Sequence, residues 1–169
     1  MKKSYKILAI ATTLTVVTMY NAQAHVEFSD ETSVQKPNQH VSVQLDIPHN
    51  CTSSTKTTEI DIKLPGDYKG FMPIGVMSKG KTVKGWVIKQ GLIAGSKVII
   101  AKGPAVDALK SNFSIYFMFT TPSKTGIMKV PTMQRCTGGK SVSWSQPRPS
   151  DGSDPAESAT PVPQIEIKG

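Results

Sequence analysis

Two stretches of the sequence alternate apolar and polar residues with a period of two, and that period leaves the chain few ways to fold. Val41, Val43, Leu45 and Ile47 are separated by Ser42, Gln44 and Asp46, and Phe113, Ile115, Phe117 and Phe119 by Ser114, Tyr116 and Met118. Successive side chains of a strand point to opposite faces, so each stretch offers one apolar face to a core and one polar face to water. Ile60, Ile62 and Leu64 alternate in the same way with Glu59, Asp61 and Lys63. Pro48-His49-Asn50, Pro65-Gly66-Asp67 and Pro122 close these runs with turn residues. Shorter strands are expected over 86–89, 97–101, 127–130, 142–145 and 164–167. No stretch holds a helical period, apart from a turn at Asp107-Ala108-Leu109-Lys110. Residues 147–163 are rich in Pro, Ser, Asp and Ala and read as an extended surface loop. Ile165 and Ile167 are expected to return after it as an edge strand. Many short strands separated by Gly and Pro indicate an all-β fold, a single immunoglobulin-like β-sandwich.

The first 24 residues have a different character. Lys2, Lys3 and Lys6 precede a mostly apolar run diluted by threonines, and Ala22-Gln23-Ala24 has the small-x-small pattern of a signal cleavage site. The apolar run is short and Thr-rich for a spanning helix. The expected organisation is therefore a signal peptide over 1–24, cleaved after Ala24, and one sandwich domain over 25–169. No second long apolar run follows, and the chain ends on the polar Ile167-Lys168-Gly169. The expectation is a soluble periplasmic or secreted protein with no membrane anchor in the mature form. Removing the three signal lysines leaves 17 basic residues against the 12 acids, a net charge near +5. The lysines are scattered rather than clustered, which argues against nucleic acid as a partner.

The chain has two cysteines, Cys51 and Cys136. In an exported chain such a pair is most simply one disulfide. The other reading, two thiolates for a soft metal, lacks the Cys-x-x-Cys spacing of such sites.

Cleavage after Ala24 would make His25 the first mature residue. Its α-amine and its ring Nδ1 could then close on one metal ion, a nitrogen pair that suits Cu(II) over harder ions. The amine has an ordinary pKa of about 7.7–8.0, so binding must displace its proton and weakens in acid. The other histidines read differently. His49 sits in a turn beside Cys51, as a ligand or as a hydrogen-bonded turn residue, and His40 opens a strand at the surface. No His-x-His or His-x-x-x-His pair supports a multi-histidine zinc site. Trp86 and Trp144 both fit a sandwich core. Met72, Met77, Met118, Met128 and Met133 are dispersed, which suits gap-filling rather than thioether ligation of Cu(I). The sequence has no Gly-x-Ser-x-Gly elbow and no phosphate-cradling loop, so no catalytic residue is assigned and an enzyme is not expected.

Several stretches in order resemble the YcnI-like family of exported copper-binding domains. They are the His25-Val26 start, Ile47-Pro48-His49-Asn50-Cys51 for the family's Val-Pro-His-Gly-Cys, and the Thr57-to-Pro65 segment. Gly85-Trp86, then Gln134-Arg135-Cys136-Thr137-Gly138 with Trp144, and finally Pro161-Val162-Pro163 before an alternating strand complete the set. The resemblance spans nearly all of the expected mature chain. It implies an immunoglobulin-like sandwich that holds copper through the amine and imidazole of an N-terminal histidine; the nitrogen ligands and the dispersed methionines favour Cu(II) over Cu(I). It also implies a carboxylate ligand and a nearby tryptophan. Carried over, the histidine is His25 and the tryptophan Trp144. The family's glutamate region reads Ser111-Asn112-Phe113-Ser114-Ile115-Tyr116 here and has no acid. Glu27 is the substitute, being two residues from His25 and so on one face of a strand; Asp30 and Asp107 are weaker candidates. Asn50 replaces the motif's glycine, a mild change because Asn also tolerates left-handed turns.

The function implied is copper delivery or buffering, with another periplasmic copper protein as the partner. Two rivals stand beside it. One is a protein-interaction sandwich with a degenerate copper site. The other is a copper redox enzyme with a second histidine beside the first, as in polysaccharide monooxygenases.

Overall fold

The computed structural model describes residues 25–169 except 67, 152, 154, 157 and 158. The signal-like segment and its cleavage site lie outside the described residues. In chain order the strands are β1 (Glu27–Phe28), β2 (Val34–Gln35), β3 (His40–Ile47), β4 (Thr57–Ile62), β5 (Lys69–Ser78), β6 (Lys81–Thr82) and β7 (Val87–Ile93). They continue with β8 (Ser96–Val106), β9 (Phe113–Thr120), β10 (Gly126–Lys129), β11 (Thr132–Cys136), β12 (Ser141–Trp144) and β13 (Gln164–Ile167). One five-stranded sheet runs β1-β3-β9-β5-β6 and the other β12-β11-β4-β8-β7, with a three-stranded sheet β10-β13-β2 beside them. This is the immunoglobulin-like sandwich that the alternation predicts.

The alternation also explains the core. The register of β3 against β9 sets Val43 opposite Phe117, Leu45 opposite Ile115 and Ile47 opposite Phe113, and all six are buried. In the facing sheet β4 sets Ile60 against Ala101 and Ile62 against Ile99 of β8. These residues form one cluster with Trp144, Ile165 and Ile167. Each large apolar side chain so buried contributes roughly 1.5–3 kcal/mol, so the two inward faces hold the layers together. The disulfide Cys51–Cys136 joins them covalently, with Cα atoms 6.1 Å apart. Cys51 follows β3 of the first sheet and Cys136 ends β11 of the second.

The structure differs from the sequence expectation in several places, among them the end of the loop expected over 147–163, where Pro161, Val162 and Pro163 are buried. Residues 164–167 form a central strand rather than an edge, with antiparallel β10 on one side and parallel β2 on the other. Ile165 and Ile167 bury one face as expected, but β2 is a two-residue strand with no pattern to announce it. The ten-residue β5 was not expected at all. Gly70, Pro73 and Gly75 interrupt it, and its register against β9 shifts in two places, where the ladder tolerates such residues. The turn at 107–110 is a short 3-10 turn, Ala108–Lys110.

Candidate metal centre around Trp144

The start of the domain is fixed by packing. Val26 and Phe28 are buried, and β1 pairs with the end of β3, Glu27 opposite Asp46 and Phe28 opposite Leu45. Extending that register two residues sets His25 across from Pro48. Proline has no N–H to continue the ladder, so the chain leaves the sheet there and carries His49 away with it. His25 precedes β1 and His49 follows β3, so the antiparallel pairing puts both at the same end of that strand pair.

Trp144, at the end of β12, is 1% exposed, and both imidazoles lie against its indole. The His25 ring is 6.5 Å from it, centroid to centroid, and edge-on at 76°. The His49 ring is 5.1 Å away and tilted by 49°. The indole is held in turn by Gln134 of β11, whose Oε1 accepts from Trp144 Nε1 at 3.2 Å. The same amide donates from Nε2 to the His49 carbonyl at 2.7 Å and to Thr57 Oγ1 at 2.8 Å. Gln134 is fully buried, and its partners satisfy both ends of the amide.

The hydrogen bonds to carbonyls define which nitrogen of each ring donates there. His25 Nε2 lies 3.1 Å from the Ala156 carbonyl. A carbonyl only accepts, so Nε2 carries the proton and the neutral ring has its lone pair on Nδ1. His49 Nδ1 lies 3.0 Å from the Asn50 carbonyl, so Nδ1 is the donor of that bond. An imidazole that donates one N–H to a backbone carbonyl is the usual second-shell arrangement of a metal-ligating histidine.

The remaining candidates are placed as follows. Glu27 meets Arg148, with Oε2 3.2 Å from a guanidinium nitrogen. The pair lines a cleft of about 230 Å³ that also holds Asp30 and Glu166. Both side chains are partly exposed, and a pair of that kind contributes about 1 kcal/mol or less, a small barrier to releasing the carboxylate. Asp107 accepts from Asn50 Nδ2 at 2.9 Å, and this bond holds its carboxyl below the usual range. His40 is exposed at the far end of β3, its Nδ1 3.4 Å from Thr120 Oγ1. Trp86 packs on Phe113 with centroids 4.9 Å apart and donates to the Pro104 carbonyl. Among the methionines Met128 is buried and Met72 exposed. Among the described residues no three His, Cys, Asp or Glu side chains converge as a ready ligand set.

Two polar organisers escaped the sequence reading. Gln134 has the same strand parity as Cys136, and a cysteine that crosses to the other sheet marks that face as inward. Asn50 does not adopt the left-handed backbone suggested by its place in the motif; among the described non-glycine residues that conformation falls to Asn38, Lys79, Ala94 and Asn112. Its side chain is buried, and its Oδ1 accepts from the Ala108 amide at 2.9 Å while its Nδ2 holds Asp107.

The chain is similar to the crystal structure of an uncharacterized protein from Nocardia farcinica with an immunoglobulin-like fold. The TM-score is 0.61 at 19% identity, over 86% of this chain and 99% of the other. A cohesin module of a Clostridium perfringens family 33 glycoside hydrolase aligns at TM-score 0.43 and 8% identity, over 85% and 96%. No protein-family model matches the sequence, and no curated protein sequence matches it. The Nocardia likeness establishes the class, an immunoglobulin-like β-sandwich.

Proposed function

We propose that this protein binds Cu(II) outside the cytoplasm, through the α-amine and Nδ1 of His25 once the chain is cut after Ala24, and delivers or buffers the ion. The observation that carries this reading is the bond from His25 Nε2 to the Ala156 carbonyl. Only Nδ1 closes a small chelate ring with the amine of its own residue, and this bond leaves the lone pair on that atom. Two nitrogens from one ordered residue suit Cu(II), and the buried Trp144 walls one side of the position. Glu27 is held by Arg148, so its part as the carboxylate ligand requires it to leave that pair. The resemblance to the YcnI-like family points the same way.

Export is supported by the signal-like start and by the Cys51–Cys136 disulfide, which belongs in an oxidising compartment. Among the described residues no helix is long and apolar enough to cross a membrane. A donor set open on one side suits handover by ligand exchange to another exported copper protein, and a non-enzymatic role fits it.

The test is calorimetric Cu(II) titration of the chain beginning at His25, beside a form with one alanine added before it. Tight uptake of one equivalent that collapses in the extended form is expected. Equal binding by both would remove the amine from the ligand set and leave a sandwich module whose partner is a protein.

A further inference from the structure

Strand β4 turns Ile60 and Ile62 into the core, so Asp61 and Lys63 lie on the outer face of the sheet. Asp61 is nevertheless only 5% exposed, as is Val98 of the neighbouring strand β8. Both line a cleft of about 300 Å³ between the β7–β8 turn and β11, walled by Ile93, Val98, Pro131 and Met133. That size is at the lower end for small-molecule sites. The Asp61 carboxylate is used on one side alone. Its Oδ2 accepts from Arg135 Nε and Nη2 at 3.1 and 2.9 Å. Its Oδ1 is buried with no hydrogen-bond partner among the described residues. Glu59, the other acid on this face, is paired with Lys102 and Arg135, and a carboxylate only accepts, so it leaves Oδ1 without a donor.

We infer that this cleft binds a free apolar amino acid, with its ammonium on Asp61 Oδ1, its side chain between the apolar walls and its carboxylate toward Arg135 and Lys63. Each part of the ligand answers one part of the cleft. Oδ1 calls for a donor, and a cationic donor makes the stronger bond to a carboxylate. Such a donor also offsets the burial that raises this carboxyl's pKa. An amine alone would meet two cations at the mouth. Arg135 is about half exposed and reaches Asp61 and Glu59 through Nε and Nη2, which leaves Nη1 for a further acceptor. Lys63 is exposed beside it. A zwitterion answers both signs from neighbouring atoms, where a simple amine or carboxylate answers one. Ser143 lines the cleft while its neighbour Trp144 is buried in the core, so cleft and copper position lie on opposite faces of β12. The inference therefore does not rest on the copper reading.

The experiment titrates the copper-free chain beginning at His25 with leucine and follows its backbone amides by nuclear magnetic resonance. Shifts centred on Asp61, Val98 and Met133 are expected, with a dissociation constant of about 1 mM or below. N-acetylleucine lacks the ammonium and is expected to bind at least about tenfold more weakly, the worth of a hydrogen bond to a charged group. Leucinamide keeps the ammonium and resembles the amino terminus of a peptide. It is expected to bind several-fold more weakly than leucine, because the contacts it loses are at the exposed mouth. Asp61→Asn keeps an oxygen for Arg135 but turns an amide N–H₂ toward the ammonium, and is expected to abolish the leucine shifts. No shift at up to about 20 mM leucine, or shifts centred elsewhere, overturns the inference. So does N-acetylleucine bound as tightly as leucine, or leucine binding unchanged by Asp61→Asn. Leucinamide bound as tightly as leucine overturns the free amino acid as the ligand. The wild-type comparisons stand even if the Asp61 variant misfolds, and the copper reading is tested separately by the added alanine.

Discussion

Gln134 shows how much of the candidate site depends on a residue that is not a ligand. It accepts from Trp144 and donates to His49 and Thr57, and the amide itself is fully buried. Gln134→Met keeps the volume and removes both ends of the amide, leaving an indole N–H, a carbonyl and a hydroxyl to lose partners. An unsatisfied buried polar group costs about 1–3 kcal/mol, and some of the three can turn to new partners. Urea denaturation is expected to show a loss of about 2–4 kcal/mol in all. A loss below about 0.5 kcal/mol, the size of an ordinary surface substitution, would mean that the amide does not hold the corner together. At this scale the sequence was legible where chemistry is local. His25 is marked by the Ala22-Gln23-Ala24 pattern before it, and the cysteines by their number. The meeting of His49, Gln134 and Trp144 was not legible, because it joins the end of β3 in one sheet to β11 and β12 in the other.

Strand β4 shows what an element's pattern leaves unsaid. The alternation correctly turns Ile60 and Ile62 inward, but it suggests that Glu59 and Asp61 are simply solvated. Instead they meet Lys102 of β8 and Arg135 of β11, with Glu59 2.6 Å from Lys102 and Asp61 2.9 Å from Arg135. Asp61 is 5% exposed, and burial raises its carboxyl pKa in spite of Arg135. Burial also pushes Glu59 upward, but Lys102 and Arg135 together outweigh it and leave that pKa lowered. The signs are therefore opposite. A raised carboxyl pKa means that the folded state holds the proton more tightly than the unfolded chain. The stability it confers is full below the unfolded value and is lost as pH rises through it toward the folded value. Glu59 contributes in the reverse sense, with stability present above its unfolded pKa and lost in acid. Asp61→Asn keeps an oxygen for Arg135 and removes the titration. Measured by urea denaturation at successive pH values, the variant is expected to gain on wild type as pH rises from about 3 to 6, across the carboxylate range. Glu59 interacts with Asp61, so Glu59→Gln and the double variant are measured beside it to isolate the Asp61 slope. A flat difference, or one of opposite slope, would show that Arg135 rather than burial governs Asp61.

For the whole molecule, the alternating runs identified the sandwich because each buried face requires another to cover it. What they left open was which strands lie at the edges, since β13 is paired on both sides and β5 has no clean alternation. The disulfide operates at this scale too. Its cysteines are separated by 85 positions and tie one large sheet to the other. In the entropic model, whose mechanism is disputed, a loop of that length stabilises by about 4–5 kcal/mol, and losing such a bond typically costs about 2–5 kcal/mol. Domains retain a net stability of only about 5–15 kcal/mol, so the bond is a large share of the margin. It is a small share of the gross burial in the core, however. Replacing Cys51 and Cys136 together by serine is therefore expected to lower the urea midpoint by an amount equivalent to about 2–5 kcal/mol, with the far-ultraviolet dichroism of the sheets retained. Retained dichroism with no change in midpoint would show that the packed faces alone fix the distance between the layers. Loss of the sheet signal at 25 °C without urea would show the reverse, that the core needs the covalent tie to close.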